Sequence, residues 1–247
     1  MGFYEQIAPY YEYIFPAGSE QLEFIKESAG KPPKKLLDIA CGTGVYSIEL
    51  AREGYDIWAT DIDAEMVRRA GKQASDQHVS MKVLVSDMLN LDKTISEEFD
   101  CVFCIGNSIV HLGSKEAILT AVLKMKERIR AEGCLLLQII NFDRIFKKGI
   151  TTLPSIINKE MELEFHRSYN FDPDTGLIHF DTILSVKKGS QNEQYENRVN
   201  LFPLAASDLQ SILITTGFSI VDLYGGFNKE PYIAGESYIL VVKAAMR

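Results

Sequence analysis

Three aspartates stand at or just beyond short apolar runs. Asp38 lies inside Leu36-Leu37-Asp38-Ile39-Ala40, which ends in Cys41-Gly42-Thr43-Gly44. Asp61 follows Tyr55 to Thr60, and Asp87-Met88 follows Met81 to Val85. In an open α/β sheet, ligands bind beyond the carboxyl ends of the strands, so these positions face one crevice. A carboxylate at Asp61, 17 residues beyond Gly44, can accept both hydroxyl protons of a ribose. Asp87 or its neighbouring amide can pair with an adenine edge, and Met88 can pack on the ring face. Gly42 and Gly44 let the backbone approach a ligand at the start of a helix. Asp38 is poor company for a pyrophosphate and suits a ligand carrying an ammonium and a sulfonium. Ser47 stands where the third glycine of a dinucleotide fingerprint would be.

A second group follows the fourth apolar run, in Gly106-Asn107-Ser108-Ile109-Val110-His111-Leu112. Asn107 is the candidate for positioning a substrate or cofactor, with a turn residue as the alternative. His111 is a candidate base for an alcohol, with a packed helical histidine as the alternative. Tyr4, Tyr10, Tyr11 and Tyr13 fall in an expected amphipathic N-terminal helix. Tyr4 and Tyr11 are seven apart and share a face, so either can close over a ligand. Cys101 and Cys104 resemble a metal-binding pair, but on a strand that offset points them to opposite faces. Cys41, Cys101, Cys104 and Cys134 therefore read as buried thiols, with no metal expected.

The elements that must position these groups alternate. Strands are expected at Leu36–Ala40, Tyr55–Thr60, Met81–Val85, Phe99–Ile105 and Cys134–Ile140, with helices at Val45–Glu53, Ala64–Ala74 and Lys115–Ala131 between them. Asp63 and Ser114 are expected helix caps. Glu162–Tyr169, Leu177–Lys187 and Tyr195–Phe202 read as antiparallel strands, with Asp172-Pro173-Asp174-Thr175-Gly176 turning between the first two. A helix at Ala206–Thr216 and strands at Phe218–Tyr224 and Ser237–Lys243 complete the pattern. The fold class is α/β: a doubly wound, mostly parallel seven-stranded sheet with a small antiparallel β insertion. The expected organisation is one domain. It comprises an N-terminal helical lid at 1–30, a cofactor-binding core at 31–145, a β insertion or substrate cap at 146–204, and a returning helix and two strands at 205–247.

The segments LLDIACGTG at 36–44, ATDID at 59–63, SDML at 86–89 and FDCVFCIGNS at 99–108 together resemble the class I S-adenosylmethionine-dependent methyltransferases. The resemblance implies an S-adenosylmethionine cofactor, released as S-adenosylhomocysteine. It implies cofactor-binding roles for Asp38, Gly42, Gly44, Asp61, Asp87 and Met88, joined by Ala40, Ile62, Ile105, Gly106 and Tyr4. Asn107, His111 and Tyr11 are the candidate catalytic residues. Within the class, GNS-x-x-HL at 106–112 and Asn141-Phe142-Asp143-Arg144-Ile145 look like glycine and glycine/sarcosine N-methyltransferases, and the tyrosine-rich start looks like a pattern common among small-molecule methyltransferases. The implied reaction is methyl transfer to a small-molecule amine by in-line displacement. One position departs: Ile140 stands where the glycine enzymes carry the arginine that clamps the substrate carboxylate. An aliphatic side chain cannot pair a carboxylate. A less anionic amine, or a larger molecule held through the β insertion, is therefore expected, with Arg144, Arg167 or Arg198 as possible substitutes for the clamp.

The net charge of −8 over 247 residues disfavours nucleic acid. No run of about 18 apolar residues occurs, so no membrane span is expected. The expected partner is a small-molecule substrate, the expected location cytoplasmic, and the expected state a monomer or homodimer. The alternatives are an O- or C-methyltransferase, a nicotinamide-dependent oxidoreductase, and a non-catalytic module that keeps the cofactor.

Overall fold

The computed structural model describes residues 7–188 and 191–246. Short apolar runs form the central strands, because a strand covered by helices on both faces needs apolar side chains on both. These are β1 (Lys35–Ile39), β2 (Asp56–Asp61), β3 (Lys82–Val85), β4 (Phe99–Cys104) and β5 (Ile129–Ile140). Together with β10 (Ile220–Tyr224) and β11 (Ile239–Ala245) they make a sheet of order β10-β11-β5-β4-β1-β2-β3. The pairs from β5 through β3 are parallel, while β11 runs antiparallel to both β5 and β10. The chain builds outward from β1 to β3 and then crosses back to β4, so strand order reverses between β1 and β4. That reversal opens a crevice at their carboxyl ends.

The helices sit where their caps place them. Helix α1 is Tyr11–Ile14, α2 Ser19–Ala29, α3 Val45–Arg52 and α4 Ala64–Asp76. They are followed by α5 (Lys115–Lys126), α6 (Phe142–Lys148) and α7 (Ala206–Thr215). The Asp63 carboxylate accepts from Glu65 and Met66 N–H, and Ser114 Oγ accepts from Ala117 N–H. Each satisfies donors that a helix start leaves open. Helix α5 ends at Lys126 rather than Ala131. The segment Glu127-Arg128-Ile129-Arg130-Ala131 has good helix formers, but Ile129 pairs with Phe99 and Arg130 reaches Asp100 at 2.9 Å. Tertiary pairing overrides local propensity there.

A second sheet comprises β6 (Thr152–Asn158), β7 (Leu163–Asp172), β8 (Leu177–Lys188) and β9 (Gln191–Leu201), paired in that order and antiparallel throughout. β6 was not expected: it is an edge strand carrying Pro154, which strand patterning penalises. The sheet's inner face holds Leu163, Phe165, Leu184 and Val186, which pack with Ile7, Tyr10 and Ile14 of the N-terminal segment. From Ala8 on, where one amphipathic helix was expected, the described residues form a turn at Ala8–Tyr10 followed by the single turn of α1. Pro9, Pro16 and Gly18 interrupt any longer helix. Among the described residues, no helix is long and apolar enough to cross a membrane.

Candidate active site

Beyond β1 the backbone reverses through left-handed conformations at Ala40, Gly42 and Gly44 (φ 59°, 57° and 80°). The turn is held by Gly42 N–H donating to Asp61 Oδ2 at 2.9 Å. A Cβ on Gly42 would lie 3.1 Å from Cε1 of Tyr11, so the tyrosine ring rests on the turn. From there Tyr11 contacts Phe15 and Phe15 meets Phe165, with ring centroids 5.2 and 5.9 Å apart. The N-terminal segment thus links the glycine turn to the second sheet.

Two cavities meet over the carboxyl ends of β1 and β4. The first, of about 270 Å³, is lined by Gly42, Asp61, Ile62, Asp87 and Met88, and also by Met66, Ser86 and Leu112 among others. The second, of about 380 Å³, is lined by Asp38, Ile105, Asn107 and Ile140 on the main-sheet side and by Phe165, Arg167, Tyr169 and Phe180 of the second sheet. Tyr11, Ala40, Gly106 and His111 line both. The sequence candidates therefore converge, with two exceptions. Gly44 lines neither cavity; its bare Cα admits Ala70 of α4, whose Cβ would be 3.1 Å from a Cβ there. Tyr4 lies outside the described residues. Met66 and Ser86 escaped the sequence reading, although Met66 lies three residues past the Asp63 cap, on the first turn of α4.

The carboxylates are under electrostatic tension. Asp38 is 3 % exposed, and its Oδ2 accepts from Ser47 Oγ at 2.7 Å. Burial pushes its pKa up to about 7, against the pull of Ser47, and nearby Asp61 adds to the rise. Asp61 is also raised, by burial first, although it accepts from Gly42 and Asp63 N–H, each at 2.9 Å. One buried and one partly buried carboxylate that resist ionisation are a ready environment for a cation. Asp87 caps the following turn: Oδ1 accepts from Leu89 N–H at 2.9 Å and Oδ2 from Asn90 Nδ2 at 3.1 Å. Burial lowers His111 to about 4, so its imidazole is neutral at physiological pH.

Several expected roles resolve into architecture. Asn107 places no side-chain cap on the next turn; its Oδ1 accepts from Ile140 N–H at 2.9 Å, tying the end of β5 to the end of β4. Asn141 is buried and donates through Nδ2 to the carbonyls of Ala234 and Ser237, both at 2.8 Å. Tyr232 Oη donates to Asn141 Oδ1 and Asp143 Oδ2, so the Asn-Phe-Asp segment anchors the 232–237 loop. Arg198 pairs with Asp181 across the strands, and Arg144 stacks 4.1 Å over the Tyr238 ring. Neither lines either cavity, whereas Arg167 does.

These residues fit an adenosyl sulfonium. Gly106 has φ of 90°, and a Cβ there would meet nothing within 4 Å, so the bare backbone leaves open space where the cavities join. Acidic groups, two thioethers and exposed backbone line the smaller cavity, with no lysine or arginine among its described lining residues to receive a pyrophosphate. Residues 36–133 match the family described as a methyltransferase domain. The chain is 28 % identical over 228 residues to the glycine/sarcosine N-methyltransferase of Aphanothece halophytica, covering 92 % of this chain and 82 % of the relative. It is 26 % identical over 226 residues to the enzyme of the same name from Halorhodospira halochloris, covering 92 % and 81 %. A solved S-adenosylmethionine-dependent methyltransferase from Clostridium acetobutylicum ATCC 824 has the same fold, with a TM-score of 0.83 at 16 % identity over 99 % of each chain. Motif order, sheet topology and these relatives together support an S-adenosylmethionine-dependent methyltransferase, with residues 36–133 matching its methyltransferase domain.

Proposed function

We propose that the enzyme methylates the nitrogen of a small-molecule amine. The relatives named as glycine/sarcosine N-methyltransferases support this reading. The observation that carries it lies where the cavities meet: His111, the candidate base for an alcohol, is held neutral there, with burial lowering its pKa to about 4. A base with a pKa near 4 has little driving force for removing a hydroxyl proton. A neutral amine needs no such help. Bound S-adenosylmethionine supplies a methyl group already activated on sulfur. The protein's part is to hold the nitrogen lone pair in line and exclude water, and such orientation supplies roughly 7–11 kcal/mol of a barrier.

In this reading Asp61 takes the ribose hydroxyls, while Met88 and the backbone beside Asp87 take the adenine. Asp38 faces the cationic end, and Gly42 and Gly106 keep the backbone bare. Ala40, Ile62 and Ile105 pack around the nucleoside, and Tyr11 closes over it from the N-terminal segment. Asn107 fixes the end of β5 beside the acceptor. The test is a methyl-transfer screen with isotopically labelled cofactor over matched amines and alcohols, read by mass spectrometry. Labelled N-methyl products support the reading; transfer only to hydroxyl or carbon acceptors overturns it.

Asp38 gives a pH signature. In the ligand-free protein it keeps a proton up to about pH 7, whereas the unfolded chain loses it near 3.8. That contribution to stability is fully present below 3.8 and is lost as pH rises through about 7. A cation bound beside Asp38 favours the ionised form, so binding releases the proton. Cofactor affinity should rise with pH towards about 7 and flatten above it. Asp38→Asn should remove that slope in calorimetric titrations between pH 5.5 and 8. A slope that persists in the variant would assign the proton elsewhere.

A further inference from the structure

We infer that Arg167 and Tyr169 form an anion-reading subsite, so the acceptor is an amine that also carries a carboxylate, with an apolar body between or beside the two groups. The inference rests on the N-methylation reading and specifies its substrate. On β7, residues 165, 167 and 169 share a face, and Phe165, Arg167 and Tyr169 all line the larger cavity. On β7 and β8 that face carries Leu163, Phe165, Ile178, Leu184 and Val186. A polar row crosses it beside the cavity, because Arg167 registers with Thr182 of β8 and Thr182 with Asn197 of β9; Glu193 lies on the same face of β9, opposite Val186, and does not line this cavity.

Four buried polar atoms of this region lack a hydrogen-bond partner among the described residues. Arg167 Nε, Tyr169 Oη, Thr182 Oγ1 and Asn197 Nδ2 are all buried without a hydrogen bond. All four can donate, and buried donors without acceptors are costly and rare. The guanidinium has one hydrogen bond, from Nη2 to the carbonyl of Pro154 at 2.7 Å. Burial pulls its pKa down, and no carboxylate among the described residues offsets that. A half-buried arginine cation with donors to spare calls for a planar anion, which its fork matches bidentately. The cavity supplies the rest of the specification. Leu153, Phe165, Phe180 and Ile14 give it apolar walls, and its volume of about 380 Å³ leaves room for more than a two-carbon acceptor.

The geometry also explains the substitution at Ile140. The anion partner is not lost but has moved from the end of β5 to the second sheet. Ile140 lines the same cavity that Arg167 faces, so an aliphatic wall stands where the glycine enzymes place charge. The expectation of a less anionic amine is replaced by that of a carboxylated amine bound from the opposite wall.

The test uses matched pairs that differ only in the carboxylate: glycine and methylamine, leucine and 3-methylbutylamine, phenylalanine and phenethylamine. Wild-type enzyme should favour the carboxylated member of at least one pair by about tenfold or more in kcat/KM. Arg167→Met should raise KM for that member by about 10- to 100-fold with a smaller change in kcat, as expected for a lost charge-assisted contact. Arg167→Lys should restore part of the loss, and Tyr169→Phe should produce a smaller version of it. Calorimetric binding of the cofactor reports that each variant is folded. Acceptor binding is also measured directly, with S-adenosylhomocysteine present and no turnover required. Arg167-dependent binding of carboxylated amines without methylation would sustain the subsite and overturn the N-methylation reading instead. Equal handling of both members of every pair overturns the subsite. So does an Arg167→Met loss shared equally by both members, or binding that ignores Arg167.

Discussion

Asp61→Ala should weaken S-adenosylmethionine binding by about 100-fold in isothermal titration calorimetry. Two hydrogen bonds from ribose hydroxyls to one carboxylate contribute at least about 3 kcal/mol together, and about 1.4 kcal/mol is a factor of ten. The loss has a second source. Asp61 Oδ2 holds the Gly42 N–H at 2.9 Å, so the glycine turn loses a restraint when the carboxylate goes. Asp61→Asn separates the two: it keeps the side-chain volume and one acceptor for the turn, but not the charge. An intermediate loss in that variant would divide the effect between ribose and turn. Binding at the wild-type level in Asp61→Ala would remove this residue from the nucleoside site.

Gly106→Val should cut single-turnover methyl transfer by about 100-fold or more, because small displacements of reacting groups cost about that much. Position 106 lines both cavities, and its missing Cβ leaves open space. A branched side chain there fills the passage between donor and acceptor. The backbone adds strain, since φ of 90° disfavours any residue with a Cβ. Gly106→Ala provides a graded comparison, and thermal unfolding distinguishes plugging from collapse. A folded valine variant that kept most of the wild-type rate would show that the methyl crosses elsewhere.

What the sequence made legible was local. The buried strand entering the turn at Gly42, the Asp63 and Ser114 caps, and the aspartates near the carboxyl ends of β1 and β2 all declare themselves within a few residues. A doubly wound sheet then brings successive strand ends to one edge, so ordered motifs suffice to assemble most of the smaller cavity. The larger cavity was not legible, because it depends on register. Arg167 and Arg198 both lie in alternating strands and look alike in sequence. Register sets Arg198 opposite Asp181, where it forms an exposed ion pair, and Arg167 opposite Thr182 on the inner face. A slip of one residue would exchange those faces. The early start of β5 was hidden for a similar reason: only the partner strand reveals that Ile129 belongs opposite Phe99.

The four residues of α1 complete barely one turn, and a helix that short has no stability of its own. Its order comes from Leu163, Phe165, Leu184 and Val186, contributed far downstream, while Tyr11 within it walls both cavities. With Tyr11 over the nucleoside as proposed, the glycine turn and the second sheet are joined through one short segment. A ligand on the second sheet that changes nucleoside affinity by some factor must then have its own affinity changed by that same factor when the nucleoside binds.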